Sequence, residues 1–222
     1  MSSSKKAKFM DVRSCFRTLQ RAGKSPRMQG IGLTLEGKLY RHSDLNRLPA
    51  GHKLIETGHR TTGDGETVFF CGKNSYLSNF APCHIRWGAS NFSSSEQLYQ
   101  YRKALAHNEH TIAARIISSD NPYVIKKISN NIKVNKNWES KELGVLYDVV
   151  MCKFKQNHDL RQMLLSSTHK RYYEHTLDKK YGIGLKYKGK IPPTKDITGK
   201  NEMGKILSQV KLDLLALQNQ LP

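Results

Sequence analysis

Between residues 94 and 218 the apolar residues return every three or four positions in one segment after another, which limits the chain to a core built mainly from helices. Ser94 or Ser95 can cap a helix from Glu96 to about His107, with Leu98, Tyr99, Tyr101 and Leu105 on its apolar side. Residues 109–118 predict a second helix, stopped near Asn121-Pro122, and Pro122 starts a third in PYVIKKISNNI. Leu143, Leu146, Val150 and Phe154 form a stripe over 139–155, which Leu160, Met163 and Leu164 continue over 158–167. Ile206, Val210, Leu214 and Leu217 line up over 202–218 and close the domain. Two β-type runs, TVFFCG from Thr67 and HIRWG from His84, precede the first helix. The expected class is α+β, mainly helical, a single domain with a few short strands; no period of about 20–50 residues points to a solenoid.

The first 65 residues differ from the rest. The chain of 222 residues has 37 Lys and Arg against 18 Asp and Glu, a net charge of +19, and through Arg60 there are thirteen such cations and four acids. Residues 1–65 therefore read as a basic extension, partly disordered, with a small hairpin across Glu36-Gly37, and residues 66–222 as the folded domain. So much positive charge suits a polyanion, which Lys and Arg hold through phosphate contacts and counterion release. Cys15, Cys71, Cys83 and Cys152 stand apart, with neither a C-x-x-C pair nor His at zinc spacing, so reduced thiols and no metal are expected. No run of about 18 apolar residues and no signal-peptide core occur, which predicts an intracellular protein, cytoplasmic or nuclear, with no membrane partner. Oligomeric state is left open.

The stretch FSSSEQLYQYRK, residues 92–103, carries the most chemistry. Glu96 falls in the first turn of its helix, where the dipole favours an anion, and Gln100 and Lys103 follow on the same face. A solvated helix face has the same look. GKNEMGK (199–205) sets Asn201 and Gly204 at a helix start whose free amides could receive a phosphate, or could simply be capped. In YGIG (181–184) the glycines allow either a close backbone approach or a tight turn. Trp138, Phe70 and Phe80 could stack on a base at about 1–3 kcal/mol each, or pack as core.

Taken in order, these pieces resemble the NADAR family, the YbiA-like N-glycosidases, from about Thr67 to Leu217. FF-CG followed by LSNF is similar to the family's opening strand and Ser-Asn-Phe, and FSSSEQLYQYRK to its glutamate-bearing helix. NKNWES, MCKFKQNHDLRQMLL, EHTLDKKYGIG and GKNEMGKILSQVK are similar to its Trp-containing turn, Lys-Phe-x-Gln helix, Trp-Gly-x-Gly segment and closing Gly-x-Asn helix. Three features depart from the pattern. Gln97 replaces a His, Tyr181 replaces a Trp, and the link LKYKGKIPPTKD between GIG and GKN is longer than usual.

The resemblance implies cleavage of a ribosyl C1–N bond without cofactor or metal. The substrate it implies is ADP-ribose on guanine bases of nucleic acid, alternatively a phosphoribosylated riboflavin-pathway intermediate; a non-catalytic reader of ADP-ribose, NAD or nucleic acid is the rival from another class. Glu96 would stabilise positive charge on the sugar, and Lys103 would protonate the base, hold a phosphate or trap the opened sugar as an imine. Asn79, Ser95 and Gln100 would orient hydroxyls, Trp138 would stack, and Gly182, Gly184 and Asn201 would offer amides to phosphate. Phe70, Gly72, Ser78, Phe80, Ile183 and Gly204 complete the implied binding set.

Overall fold

The computed structural model describes residues 59–188 and 190–220, together with the backbone of three short strands at 31–33, 39–41 and 55–56. Those strands, β1 (Ile31–Leu33), β2 (Leu39–Arg41) and β3 (Ile55–Glu56), form a sheet in the order β2-β1-β3. Gly32 faces Tyr40 across an antiparallel pair, so the strands of the expected hairpin are present. Its turn, and the disorder expected around it, lie outside the described residues.

A second sheet has the order β4-β5-β8, from β4 (His59–Thr61), β5 (Thr67–Phe70) and β8 (Arg171–Glu174). All four residues of β5 are buried, as for a central strand covered on both faces. Strand β4 is built into this sheet although it precedes residue 66. The turn between β4 and β5 is held by Asp64, whose Oδ1 accepts from the Glu66 N–H at 2.9 Å. Strand β8 pairs parallel to β5, Val68 opposite Tyr172. A hairpin of β6 (Pro82–Trp87) and β7 (Ser90–Ser94) turns at Gly88, whose φ of 58° is left-handed and suits a residue without Cβ. Neither β7 nor β8 is among the strands expected from the sequence: NFSSS reads as a cap and RYYE has no local strand signature.

The helices α1 (Ser95–Ala106), α2 (His110–Ile117), α3 (Pro122–Ser129), α4 (Lys136–Gln156), α5 (His158–Ser166) and α6 (Glu202–Asn219) match the expected segments to within a few residues. Helix α4 begins earlier because Asn135 caps it, accepting from the Trp138 N–H at 2.9 Å. Trp138 thus lies in a first helical turn. The fold is mixed α+β, mainly helical.

Helix α1 is the hub, packed against α2, α3, α4 and the β6–β7 hairpin. Leu98 faces a large core with Phe70, Ile85, Phe92 and Phe154; Ala104 joins Ala113, Ile116 and Ile125 in a smaller one between α1, α2 and α3. Each of the Leu, Ile and Phe side chains among these contributes about 1.5–3 kcal/mol on burial. Because α1 is enclosed, its polar first turns are enclosed too: Ser95, Glu96, Gln97 and Gln100 are all buried. That is the local oddity from which the site follows.

One further buried polar group holds the loop beside α1. Lys153 of α4 has no exposure, and its Nζ donates to the carbonyls of Tyr76 at 2.6 Å and Ser78 at 2.8 Å. Desolvation pulls its pKa down to about 8. Among the described residues no helix is long and apolar enough to cross a membrane.

Candidate active site

The N-terminus of α1 is doubly secured. Ser94 accepts from the Gln97 N–H at 3.1 Å, and the Glu96 N–H donates to the Asn79 carbonyl at 2.9 Å, so the loop pinned by Lys153 also fixes Glu96. Glu96 is 5% exposed, and its Oε1 accepts from Gln100 Nε2 at 2.9 Å. The spacing of four that set the two residues on one face is therefore a hydrogen bond.

Glu96 lines a cavity of about 740 Å³. Helix α1 also contributes Tyr99, Gln100 and Lys103; the loop after β5 contributes Gly72, Ser78, Asn79 and Phe80; Trp138 and Glu142 come from α4. Across from them stand Glu174 at the end of β8, Asp178, Lys180 and Tyr181, with Tyr123 and Lys126 of α3 at one side. The cavity thus lies off the carboxyl ends of the parallel pair β5 and β8.

Two carboxyls in this cavity are held away from their ordinary state. Glu96 is pushed up by desolvation, an effect that Lys126, Gln100 and Lys103 oppose and Asp178 reinforces. Glu174 is pushed up to about 7, again by desolvation first, with Lys126 opposing and Glu96 and Asp178 adding. Lys103 is pulled down by desolvation, while Glu96 favours its charge. Two acids raised in one cleft, with Glu96 adding to the rise of Glu174, form the pattern in which one stays ionised and its neighbour keeps a proton. Around them lie unpartnered acceptors: Asn79 Oδ1 and Gln100 Oε1 are buried without a hydrogen bond.

The structure brings Gly72, Ser78, Asn79, Phe80, Glu96, Gln100, Lys103 and Trp138 together on the cavity wall and leaves the other expected residues behind it. Ser95 has no exposure and sits near Cys83, and Phe70 and Ile183 are fully buried core. Two of the three amides expected to meet a phosphate are in use: Gly184 N–H donates to Asp178 O, and Asn201 N–H to Gly182 O. Gly182 is buried, and Gly204 is a packing residue, because a Cβ there would come within 1.9 Å of the Tyr172 carbonyl. Asn201 works as a pin. Its Oδ1 accepts from the Glu174 N–H at 3.0 Å and its Nδ2 donates to the Tyr172 carbonyl at 2.7 Å, tying the start of α6 to β8.

Trp138 is 4% exposed and forms a wall, tilted against Tyr99 and edge-on to His107, instead of an open stacking face. The exposed ring is Tyr123, 56% accessible, which meets Phe80 edge to face at 5.0 Å; Lys126 Nζ lies 5.7 Å from the Phe80 ring. Sequence reasoning missed Tyr123, Lys126, Glu142 and Glu174. Glu174 alone had a signal, the acid that opens EHTLDKKYGIG.

A description of the NADAR domain matches residues 69–215. The chain belongs to the NADAR domain family. Among curated proteins, this NADAR chain is 34% identical over 134 residues to protein irg-1 of Caenorhabditis elegans, a match that covers 57% of the chain and 63%, under two thirds, of that relative. It is 29% identical over 151 residues to N-glycosidase YbiA of Shigella boydii, covering 66% of the chain and 86% of the relative. The NMR structure of Escherichia coli YbiA superposes with a TM-score of 0.57 at 24% identity, over 70% of this chain and 89% of that one.

The departures from the NADAR pattern now have places. Gln97 points away from the cavity as a staple: its Oε1 accepts from the Ser93 N–H at 2.7 Å and its Nε2 donates to the Ser119 carbonyl at 2.8 Å. Tyr181 makes bonds that a Trp would not, its hydroxyl 2.9 Å from that of Tyr99 and donating to Glu142 Oε2 at 2.7 Å. Lys180 pairs with the other oxygen of Glu142. The lengthened link sends Lys186 and Tyr187 to the cavity wall.

Proposed function

We propose that the chain is an N-glycosidase that hydrolyses a ribosyl C1–N bond in this cavity, and that its substrate is ADP-ribose attached to a guanine base of nucleic acid. The observation that carries the reading is Glu96, an acid buried at a helix start beside a second raised acid, with open hydrogen-bond acceptors around both. As the C1–N bond breaks, its electron pair leaves with the base and the sugar becomes cationic. An ionised Glu96 stabilises that cation more than the neutral ground state. Glu174, protonated near neutral pH, supplies the proton that the departing nitrogen takes up. Water adds to C1 and its proton returns to a carboxylate, so atoms and charge balance.

Asn79 Oδ1 and Gln100 Oε1 accept from ribose hydroxyls. The exposed Tyr123 offers a face for a base, and Lys103 and Lys126 offer charge to phosphate. The net charge of +19 supports a nucleic acid over a small metabolite, because a metabolite needs only a local cationic site. The test is incubation of ADP-ribosylated guanosine DNA with the wild type, with chromatography of the products. Free ADP-ribose and unmodified DNA are the expected result. Release only from a phosphoribosylated small molecule would overturn the nucleic-acid substrate, and no release from any ribosylated base would overturn the enzyme.

A further inference from the structure

The charge of the folded domain is unevenly placed. Residues 61–222 contain 24 Lys and Arg against 14 Asp and Glu, and two short segments hold most of the imbalance. Residues 123–138 carry Lys126, Lys127, Lys133 and Lys136 with no acid, and residues 185–200 carry Lys186, Lys188, Lys190, Lys195 and Lys200 with Asp196 alone. Without those segments the domain has 15 cations and 13 acids, which is close to neutral. All nine lysines are exposed, and among the described residues none of them is in an ion pair.

Both segments reach the same cavity. From the first, Tyr123, Lys126, Asn130 and Val134 are exposed and also line the cavity, which puts them at its mouth. Lys186 of the second segment does the same. The rest of that segment is stitched to the wall at both ends: Leu185 N–H donates to the Thr176 carbonyl at 2.9 Å and Lys200 N–H to the Lys179 carbonyl at 2.7 Å, on either side of the cavity-lining Leu177 and Asp178. The acids take the opposite place, with Glu96 and Glu142 buried on the cavity wall. Phosphates are therefore favoured at the mouth and not in the depth.

Nine unneutralised cations on two segments repel one another, and a chain of phosphates removes that repulsion while releasing its own counterions. Apolar faces accompany the charge, since Tyr123 is 56% and Leu177 67% exposed at the mouth. A duplex keeps its base faces stacked. A single strand can lay a base on Tyr123 and pass one unit inward without unpairing.

We propose that segments 123–138 and 185–200 form a basic rim that holds the backbone of a single-stranded nucleic acid across the cavity mouth and presents one unit to Glu96. Four of the five lysines in the second segment belong to the lengthened link LKYKGKIPPTKD, so the rim is a property of this chain and not of the family pattern. The inference rests on the proposed function for its nucleic-acid substrate, but the rim holds an unmodified strand as well.

Fluorescence anisotropy of the full-length protein tests it, with an unmodified single strand of about 20 nucleotides, the corresponding duplex, and polyglutamate as competitor. Lys127→Gln, Lys133→Gln and Lys136→Gln combined, and separately Lys188→Gln, Lys190→Gln and Lys195→Gln combined, each weaken the single strand by about tenfold or more. In each the slope of log affinity against log salt falls by about 2, at about 0.7 per phosphate contact. Arg86→Gln, Arg115→Gln and Lys155→Gln combined remove the same charge from exposed positions off the cavity wall and change affinity by less than about threefold. An equal loss in that control, unchanged binding in both lysine variants, a duplex bound as tightly as the strand, or displacement of the strand by polyglutamate at equal charge would each overturn the rim. Binding of unmodified strand is independent of turnover. A protein that binds through these lysines and releases no ADP-ribose keeps the rim and loses the proposed enzyme; release from modified DNA with binding indifferent to the lysines keeps the enzyme and removes the rim.

Discussion

Replacing Glu96 by Gln changes charge and almost nothing else, which makes it the sharpest perturbation of the proposed reaction. The amide keeps an oxygen for Gln100 Nε2, now 2.9 Å from Glu96 Oε1, and the backbone bond to Asn79 is untouched. What disappears is an anion facing a developing cation. At about 4 Å, with an effective dielectric near 20, that interaction amounts to about 4 kcal/mol, or about 10³ in rate. Partial compensation of Glu96 by Lys126 and Lys103 places the expected loss in kcat between about 10² and 10³. Affinity for ADP-ribose stays within a few-fold, because the charge acts in the transition state.

The same substitution has a second readout of opposite sign. The folded-state pKa of Glu96 is raised above its unfolded value, so its stabilising contribution is present below pH about 4.5 and lost as pH rises through the folded value. At neutral pH its ionised form therefore burdens the fold, and Glu96→Gln should melt at the same temperature as the wild type or higher. Single-turnover release of ADP-ribose and thermal unfolding at pH 7, on one preparation, measure both. A variant that retains more than about a tenth of the rate, or that loses activity together with stability, would refute the assignment of Glu96 as a transition-state charge.

Glu174 carries its proton below a pKa of about 7, so kcat/KM of the wild type should fall about tenfold per pH unit above that point, and Glu174→Gln should show a lower, flat profile over pH 6–9. Gly204→Ala forces a methyl to within 1.9 Å of the Tyr172 carbonyl and should cost about 3 kcal/mol in urea unfolding, by separating α6 from β8. Tyr181→Phe leaves the buried Glu142 without its 2.7 Å donor and should cost about 1–3 kcal/mol by the same measurement, and the cost should persist when Tyr99 is already Phe, because the bond to Glu142 does not pass through Tyr99.

The parts of this structure legible in the sequence are those whose cause is local. The helices follow from apolar spacing, and Glu96 with Gln100 follows from a cap and a separation of four residues. The missed parts are set by partners remote in the chain. RYYE becomes strand β8 only because β5 lies beside it, and Glu174 becomes part of the cavity because Asn201 and Ile183 hold its backbone N–H and carbonyl. Gly184 and Asn201 read as open to phosphate because a sequence displays amides without the carbonyls that occupy them. Trp138 reads equally as a stacking surface or as core for a similar reason, since the sequence displays the ring but not its enclosure by Tyr99 and His107.

Lys153 has a practical consequence. An amine with no accessible surface, bonded to two loop carbonyls, meets acylating reagents only when the protein opens. Its labelling rate therefore serves as a native clock for that opening, while the exposed lysines react at once. An acyl group on that nitrogen would have no room inside the fold and would remove the charge that holds both carbonyls.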